Sequence, residues 1–465
     1  MYLFLAARRL LCGSLSNLSN NMQNSHFLIS APSSNSGKTT LTLGLLRALK
    51  NRGLHVQPFK CGPDYIDTKH HTTASGNPGI NLDTFMASEA HVHAIYNHYS
   101  EHADVSVTEG VMGLFDGADK MQGSSAAIAE LLNIPVILVI NAKSMAYSAA
   151  PLLYGFKNFY KGINVVGAIF NFVSTTSHYR FLQEACEEVG IEPLGYLPKN
   201  EALAIPSRHL GLHISSETDY ESIIQKLAEE IAKTINIDRL LEISSRENLP
   251  KTESKIVSQN PFSAKKYKIA IARDEAFTFT YHQNIEVLSS LGEVTFFSPI
   301  HDKILPETDF LYLPGGYPEL FLNVLSENKK MLESIQTYCL NGGLTFAECG
   351  GLMYLGNEIV TSEGISFQMA GILHCTTSMQ NSKLTLGYRI IHWNELELKG
   401  HEFHYSRLVE NALETESVIV KNAKGIEVET QLYRKLNTFA SYVHLYWGEN
   451  YSFIEYLLEN ITQSR

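Results

Sequence analysis

The chain has 465 residues, of which 44% are hydrophobic and 18% charged, so it is long enough to form two or three separate hydrophobic cores. A net charge of -11 at pH 7 argues against a general nucleic-acid binder, which would carry a basic stripe. No apolar run in the sequence has the length that a membrane span needs.

The first 21 residues include Arg8 and Arg9, are rich in serine and asparagine, and contain no acidic residue. This composition is typical of a transit peptide, although Met22 lies just before the first predicted strand and offers a later start. We therefore expect residues 1–24 to lie outside the fold. The six cysteines have neither metal-ligand nor disulfide-framework spacing, which favours a reducing, cytoplasmic location.

A phosphate-binding loop is predicted at residues 30–40, between an apolar strand at 27–29 and a leucine-rich helix. Such a loop directs backbone N–H groups and a helix N-terminus at one phosphate site. Lys38 would reach the β and γ oxygens of ATP, and the Thr39 hydroxyl would bind Mg²⁺. Pro32 replaces the first glycine of the usual pattern, and a serine-rich, capped turn is the alternative. The predicted ATP contacts are Ser34, Ser36, Gly37, Lys38, Thr39 and Thr40.

Two acidic residues, Asp64 and Asp67, follow a glycine-proline turn at the expected carboxyl end of the second strand, 55–60. Ligands collect at this edge of open α/β sheets. The two carboxylates would bind Mg²⁺ or orient a substrate, and Lys60 would neutralise a phosphate or a substrate carboxylate. The alternative is an Asx turn with a solvated pair of acids.

Glu109 ends the next predicted strand, 104–109, where it would meet the metal on the phosphate loop. A glycine-rich loop then carries Asp116 over the same edge, and Asp83 adds another acid. Strands and helices alternate as far as residue 198, which predicts a parallel, doubly wound sheet with helices on both faces.

A polar stretch without sustained periodicity, residues 236–266, is predicted to be a linker. It would separate an ATP-binding domain at 25–235 from a second α/β domain at 267–465.

The second domain places Cys349 at a strand-to-helix turn flanked by glycines, which permit a strained backbone there. A thiol at a helix N-terminus should have a lowered pKa, which favours the nucleophilic thiolate. The N–H of Gly350, together with one from the predicted Gly315-Gly316 turn, would form an oxyanion hole.

His444, in an apolar strand near the C-terminus, is the predicted base for this thiol. Two other histidines, His401 and His404, are expected to line the site or to pack beside it. The remaining cysteines are interpreted as structural.

Taken together, these motifs resemble the cobyrinate a,c-diamide synthase family, in order and from residue 27 to the C-terminus. The segments that carry the resemblance are residues 31–34 with 37–40, Lys60 with 62–67, 109–117, 314–319, 347–351 and 400–406. The resemblance implies an α/β protein with two doubly wound domains. The first would be a P-loop ATPase sheet like that of dethiobiotin synthetase, and the second a class I glutaminase-like sheet.

The resemblance also implies a ligase that amidates side chains c and then a of cobyrinate in cobalamin biosynthesis, with ATP and glutamine as co-substrates. Cys349 would release ammonia from glutamine with His444 as its activator, and the carboxylates would react as acyl phosphates. The implied Mg²⁺ ligands are Thr39, Asp67 and Glu109. The implied substrate and acyl-phosphate contacts are Lys60, Asp64, Tyr65, Ile66 and Asp116.

Two positions depart from the family pattern. Asn35 stands where a glycine is common in the loop, and Tyr446 stands where many class I glutaminases have a carboxylate two residues after the histidine. We therefore expect a Cys-His pair without a third member, and the group that orients His444 is left open.

Close alternatives are the same diamidation on hydrogenobyrinate or on nickel-sirohydrochlorin. A different class, the nucleotide-switched partitioning ATPases, would have a signature lysine where this chain has Ser33 and would lack the glutaminase half. The expected partners are the small molecules cobyrinate, glutamine and ATP, with neither nucleic acid nor membrane. The sequence allows a homodimer but does not determine the oligomeric state.

Overall fold

A computed structural model describes residues 24–200, 203, 220–246 and 267–462. The predicted amino-terminal extension up to residue 23, and residues 247–266 of the predicted linker, lie outside the described residues. The described chain forms two α/β halves, the first built on a parallel sheet, which confirms the predicted fold class.

The first half contains a sheet of eight strands. They are β1 (Asn24–Ser30), β2 (Val56–Cys61), β3 (Ile80–Leu82), β4 (Val105–Glu109), β5 (Val136–Asn141), β6 (Val165–Val173), β7 (Glu192–Pro198) and β8 (Ser245–Arg246). The strand order is β3-β2-β4-β1-β5-β6-β7, all parallel, and β8 adds an antiparallel pair at the start of β1. The carboxyl ends of β1, β2 and β4 therefore meet at one edge.

Helices cover both faces of this sheet. They are α1 (Lys38–Asn51), α2 (Tyr65–Ser75), α3 (Glu89–Ser100), α4 (Ser125–Leu131), α5 (Ala149–Asn158), α6 (Thr176–Val189), α7 (Tyr220–Thr234) and α8 (Ile237–Ile243). Along β1 the side chains alternate, so that Phe27 and Ile29 join the core beneath α1 and α7 while Leu28 joins the core of the opposite face. This two-sided burial matches the apolar run that the sequence shows.

The predicted linker at 236–266 is wrong at its beginning. Helix α8 buries Ile237 and Leu240 in the first core, and β8 pairs with β1, so residues 237–246 pack with the first half. Two buried positions in one short helix are too few to produce a visible helical period, and the strand partner lies far away in the sequence.

The second half begins at residue 267 in the described chain. Its strands are β9 (Tyr267–Ala272), β10 (Phe277–Phe279), β11 (Gly292–Phe297), β12 (Phe310–Leu313), β13 (Gly315–Gly316), β14 (Leu344–Glu348), β15 (Glu358–Val360), β16 (Ser366–Gln368), β17 (Cys375–Ser378), β18 (Thr385–Trp393), β19 (Leu396–His404), β20 (Arg407–Asn411), β21 (Glu414–Thr415), β22 (Val418–Asn422), β23 (Tyr433–Lys435), β24 (Thr438–Ser441) and β25 (Val443–Tyr446). Its helices are α9 (His282–Leu291), α10 (Leu322–Glu327), α11 (Lys329–Leu340), α12 (Gly350–Leu355) and α13 (Ser452–Thr462), with a 3-10 turn at Pro318–Leu320.

The central sheet of this half has the order β11-β9-β12-β14-β24-β23-β21, in which the first five strands are parallel. A second, antiparallel sheet, β22-β18-β19-β25, packs beside it. Strand β14 ends directly before Cys349, whereas His444 lies on β25 in the antiparallel sheet. The thiol and the imidazole are therefore supplied by different sheets.

Polar and aromatic contacts join the two halves. The Tyr65 hydroxyl donates to the Tyr281 hydroxyl at 2.6 Å, and the Tyr388 hydroxyl donates to Asp83 at 2.7 Å. Tyr65 and Tyr281 also belong to a buried cluster with Met86 and Phe279 that crosses the boundary. The ligand edges of the two sheets consequently face each other.

Within the part of the chain that the structure describes, no helix is both long enough and apolar enough to cross a membrane. The five cysteines in that part are free and buried.

Close packing of α1 against α7 makes Gly44 a test of the first core. A Cβ atom at Gly44 would lie 2.6 Å from Ile231 Cδ1 and 2.9 Å from Leu227 Cβ. We expect Gly44→Ala to lower the free energy of unfolding of this half by about 1–3 kcal/mol, because the core has no room for the methyl group. Urea denaturation followed by circular dichroism measures the change.

The matched control is Gly155→Ala in the exposed middle of α5, where a Cβ atom meets nothing within 4 Å. This substitution should stabilise the protein by about 0.5–1 kcal/mol, since alanine loses less backbone entropy in a helix. Equal effects of the two substitutions would contradict the packing described for Gly44.

Candidate active site

The phosphate loop between β1 and α1 is held in shape by its own polar contacts. Asn35 (φ 61°) and Gly37 (φ 91°) adopt the left-handed backbone conformation, which asparagine tolerates better than most residues. The Asn171 amide donates to the Ser36 carbonyl at 3.0 Å, and a Cβ atom on Gly37 would lie only 1.9 Å from that amide nitrogen. Asparagine at position 35 is therefore compatible with the loop, and glycine is required at position 37.

A cavity of about 650 Å³ lies over this loop. Among the predicted ATP contacts, Ser34, Gly37, Lys38, Thr39 and Thr40 line it. Ser36 does not, because its buried hydroxyl donates to the Ser33 carbonyl at 3.0 Å and fastens the loop internally. Residue type alone could not separate a serine that faces the ligand from one that faces the loop.

Lys38 crosses beneath the loop and donates to the Met112 carbonyl at 2.6 Å and to the Ser33 carbonyl at 3.3 Å. Burial lowers the pKa of Lys38 to about 8, and the nearby Glu109 carboxylate partly opposes this. The ammonium group is thus positioned between the phosphate loop and the loop that follows β4.

A buried cluster of charges lies beside Lys38, centred on Glu109. One carboxylate oxygen of Glu109 accepts from the Thr39 hydroxyl at 2.7 Å and from Lys60 Nζ at 3.0 Å. The other lies 2.6 Å from His71 Nε2, and Lys60 also contacts Asp67 at 2.6 Å. Burial opposes ionisation of Glu109, but Lys60 and His71 outweigh it and hold its pKa at about 2.

His71 is a member of this cluster that the sequence analysis missed. It follows Asp67 by four residues on α2, a spacing that puts two side chains on one face of a helix, so a signal was present. The predicted residues Thr39, Lys60, Asp67 and Glu109 are brought together around it.

Asp64 and Asp116 have different positions. The Asp64 carboxylate caps α2 by accepting from the backbone N–H groups of Ile66 and Asp67, both at 2.9 Å, and Asp64 faces the loop cavity. Asp116 is exposed and accepts from the Gly113 N–H at 3.0 Å. It fastens the glycine-rich loop and is not among the described residues that line this cavity.

Cys349 occupies the predicted strained turn, with φ 44° and ψ -100°, and its N–H donates to the Ser441 carbonyl at 2.7 Å. The expectation of a lowered thiol pKa is wrong. The side chain is 3% exposed, and burial raises the pKa of the thiol well above its usual value, while the Gly350 N–H only partly opposes this. The loss of hydration outweighs the dipole of a single helical turn.

The Gly315-Gly316 segment differs from the predicted open turn. It forms the short strand β13, paired antiparallel with β10, which the sequence does not reveal because the partner of Gly315, Phe279, lies 36 residues away. A Cβ atom on Gly350 would lie 3.0 Å from Gly316 N, and one on Gly315 only 2.0 Å from His444 Cε1. The three predicted oxyanion-hole glycines therefore lie close to the turn of Cys349 and to the imidazole.

His444 is fully buried, and within the described residues neither of its ring nitrogens has a hydrogen-bond partner. Burial lowers its pKa to about 3, so the imidazole is neutral. Its ring contacts Tyr65 of the first half at a centroid distance of 4.9 Å. The Tyr446 hydroxyl, at the position of the missing carboxylate, lies instead 2.9 Å from His91 Nε2 across the boundary.

A second cavity, of about 410 Å³, lies between the halves. Tyr65 and Ile66, two predicted substrate contacts, line it from one side, and His401 and Phe403 line it from the other. The Phe403 carbonyl lies 3.8 Å from Cys349 Sγ, so the thiol lies directly behind a residue of the cavity wall, although Cys349 is not among the described residues that line the cavity. The residues that line both cavities are Asp64, Val111 and Met112.

The two competing histidines differ as the sequence analysis allowed. His401 lines the cavity between the halves, and its buried Nδ1 has no hydrogen-bond partner among the residues that the structure describes. His404 packs beside the site, where it pairs with Glu402 at 2.9 Å and stacks on Tyr442 at 3.8 Å.

Comparisons with known proteins agree with this geometry. Residues 27–212 match the CobQ/CobB/MinD/ParA nucleotide binding domain, and residues 268–451 match the CobB/CobQ-like glutamine amidotransferase domain. The cobyrinate a,c-diamide synthase of Listeria monocytogenes is 40% identical over 92% of this chain and 98% of its own length. This chain belongs to the cobyrinate a,c-diamide synthase family.

Other relatives cover the chain equally well. The cobyrinate a,c-diamide synthase of Dehalococcoides mccartyi is 39% identical over 91% of this chain and 95% of its own length. The hydrogenobyrinate a,c-diamide synthase of Brucella anthropi is 39% identical over 90% of this chain and 98% of its own length. The family assignment therefore covers both halves of the chain. The protein is an enzyme with a nucleotide-binding domain and a glutamine amidotransferase domain.

The contact of Gly315 with the imidazole yields a prediction. A methyl group at Gly315 must displace the His444 ring, and displacements of about 1 Å at a reacting group cost roughly 10²-fold in rate. We expect Gly315→Ala to lower the turnover number for glutamine hydrolysis by that order, measured as glutamate release. Gly155→Ala, far from the site, should leave the rate unchanged, and an unaffected Gly315→Ala protein would contradict the described contact.

Proposed function

We propose that this protein uses ATP and glutamine to amidate the c and then the a side-chain carboxylate of cobyrinate in cobalamin biosynthesis. The observation that carries the proposal is that two cavities meet at Asp64, Val111 and Met112. One lies over the phosphate loop, and in the wall of the other lies Phe403, whose carbonyl is 3.8 Å from the thiol of Cys349. A substrate between the halves would have activation chemistry at one end and a nitrogen source at the other.

The need for both sites follows from the chemistry of amide formation. A carboxylate is a poor acyl donor because its leaving group is oxide. Transfer of the γ-phosphoryl group of ATP to the carboxylate releases ADP and gives an acyl phosphate, and ammonia then displaces phosphate. Ammonia is mostly protonated in water at neutral pH, so its release beside the acyl phosphate preserves the reactive form.

In the nucleotide site, Lys38 and the N–H groups of the loop would bind the phosphates of ATP. The oxygen atoms of Thr39 and Glu109 fit a Mg²⁺ ion, since this ion is commonly bound by one or two carboxylates together with nucleotide phosphates. The described residues contain no group of three His, Cys, Asp or Glu side chains that could hold a metal ion alone. When bound with ATP, Mg²⁺ would neutralise charge on the phosphates.

Lys60 and Asp67 complete this site in the proposal. Lys60, between Asp67 and Glu109, would neutralise the carboxylate that is phosphorylated. Asp67 would orient Lys60 or share the cation, and Asp64, Tyr65 and Ile66 would contact the substrate in the cavity between the halves. Asp116, which fastens its loop, would act by holding that loop in place rather than by direct contact.

In the glutaminase site, the neutral His444 would take the proton of the Cys349 thiol as sulfur attacks the carboxamide carbon of glutamine. The N–H groups near Gly350 and Gly316 would stabilise the resulting oxyanion. His444 then returns this proton to the amide nitrogen, ammonia leaves, a glutamyl thioester remains, and water hydrolyses the thioester to glutamate and the free thiol. The buried thiol makes this proton transfer essential, because little thiolate exists before glutamine binds.

The proposed ligands are small molecules only, with neither nucleic acid nor membrane, and the proposed compartment is the cytoplasm. The Brucella relative is named for hydrogenobyrinate, so the preferred macrocycle is decided by assay. Purified protein with ATP, Mg²⁺ and glutamine should convert cobyrinate to a product heavier by two amidations, read by mass spectrometry. Parallel reactions with hydrogenobyrinate and nickel-sirohydrochlorin rank the alternatives, and no amidation of any of the three would overturn the proposal.

Replacing the nucleophile separates the two halves of the reaction. Cys349→Ser should lose glutamine-dependent amidation by at least about 10³-fold, because serine is a much weaker nucleophile without thiolate character. Amidation with ammonium chloride should stay within about twofold of the wild-type rate, which also shows that the protein is folded. Loss of both activities would contradict the division of labour between the halves.

Replacing the phosphate-site lysine gives the opposite result. Lys38→Ala should lower amidation with glutamine and with ammonium chloride alike, by about 10²-fold or more, since transition-state charge on the phosphates loses its cation. Phosphate release and product mass, measured at matched ATP concentrations, report both reactions. A variant that fails only with glutamine would show that Lys38 does not act in carboxylate activation.

A further inference from the structure

The glutaminase site contains a buried carboxylate that the sequence analysis did not assign. Glu348 is the last residue of β14, directly before Cys349, and is 1% exposed. One of its carboxylate oxygens accepts from the Leu445 N–H at 2.9 Å, and the other accepts from the Tyr312 hydroxyl at 2.7 Å. Glu348 therefore ties the strand that bears the thiol to the strand that bears the imidazole.

The second oxygen of Glu348 also lies 3.9 Å from His444 Nδ1. That nitrogen is buried and lacks a hydrogen-bond partner within the described chain. A buried N–H left unpaired costs free energy, so a small rotation that closes this distance is favourable. Two residues after His444 lies Tyr446, whose hydroxyl contacts His91 rather than the imidazole of His444.

We propose that Glu348 is the carboxylate that positions His444. It would take the role of the acidic residue that many class I glutaminases have at the position of Tyr446. Its oxygen would hold the Nδ1 proton, which leaves Nε2 free to accept the thiol proton of Cys349. The positive charge of the imidazolium formed at that moment would favour the ionised form of Glu348 beside it. The inference rests on the proposed glutaminase function and adds a residue to it.

Other ionisable groups also act on His444. They are His401, Glu402 and His404 on β19 and the Tyr65 phenol on α2. Burial raises the pKa of Glu348 to about 8, which the Leu445 N–H and the Tyr312 hydroxyl oppose. The test therefore compares variants of Glu348 in an otherwise unchanged site, so that contributions from β19 and α2 cancel.

The first experiment uses Glu348→Gln. Its side-chain oxygen can still accept from the Leu445 N–H, but its amide N–H₂ would face Nδ1 and favour the wrong imidazole tautomer. We expect the turnover number with glutamine to fall by roughly 10²- to 10⁴-fold with little change in KM, because a tautomer error acts on the chemical step. Amidation with ammonium chloride should remain within about twofold, which excludes a folding defect.

A second readout follows the thiol directly. Alkylation of Cys349 by iodoacetamide, measured against pH with Cys349→Ser as the background, reports the ionisation of the thiol beside His444. Besides burial, Glu319, Glu402 and Glu348 each raise the pKa of the thiol by repelling the thiolate, so loss of the Glu348 charge has two opposite effects. Loss of the carboxylate beside the imidazolium should outweigh loss of this repulsion, so Glu348→Gln should shift the profile to higher pH by at least about one unit, a tenfold slower reaction at fixed pH. Gly155→Ala, in helix α5 of the first half, is the control and should leave the profile in place.

Glu348→Asp keeps the charge and tests the inference if Glu348→Gln does not fold. Its shorter side chain should give an intermediate loss with glutamine and a profile close to wild type. Wild-type turnover and an unshifted profile in Glu348→Gln would overturn the inference, as would equal losses with glutamine and ammonium chloride in either variant. Failure of wild-type protein to hydrolyse glutamine would instead overturn the proposed function.

Discussion

The first turn of helix α2 is the constraint on which both sites depend. Four consecutive residues there, at 64–67, face different parts of the molecule. Asp64 caps the helix and lines both cavities, Tyr65 packs on the imidazole of His444, and Asp67 holds Lys60 beside Glu109. One helical turn therefore connects the nucleotide site, the cavity between the halves and the glutaminase base.

Burial determines the electrostatics on each side of that turn. In the nucleotide site the buried Lys60 contacts both Asp67 and Glu109 and helps to keep Glu109 ionised, so its removal would take away the cation that these two buried carboxylates share. Breaking a buried pair in this way typically costs about 3–5 kcal/mol. In the glutaminase site no cation offsets the loss of hydration among the described residues that act on the thiol, so Cys349 stays protonated and His444 stays neutral. The nucleotide site therefore contains a cation before an anionic ligand binds. The glutaminase site becomes charged only when the thiol of Cys349 transfers its proton to His444.

Several polar side chains of the second half form hydrogen bonds with the first half at the boundary. Tyr446 occupies the position of a catalytic carboxylate in related glutaminases and instead contacts His91 of the first half. Asp83 accepts from Tyr388, and Glu449 accepts from the Ser88 N–H at 2.7 Å. These contacts align the ligand edges of the two sheets. Because Tyr446 is used at the boundary, Glu348 is the residue proposed to orient the imidazole of His444.

The sequence by itself determined the α/β class, the phosphate loop, the thiol at a strained turn and the acidic residues at one sheet edge. Each of these is local, because strand, turn and helix signals lie within a few residues of one another and glycine marks the positions where the backbone is unusual. Only the tertiary structure decided that α8 joins the first core, that Ser36 faces inwards, that Gly315 and Gly316 form a paired strand, and that the thiol loses its hydration. Those outcomes depend on partners far apart in the chain: Glu348 meets Leu445 across 97 residues, and a linear pattern carries no information on such a meeting.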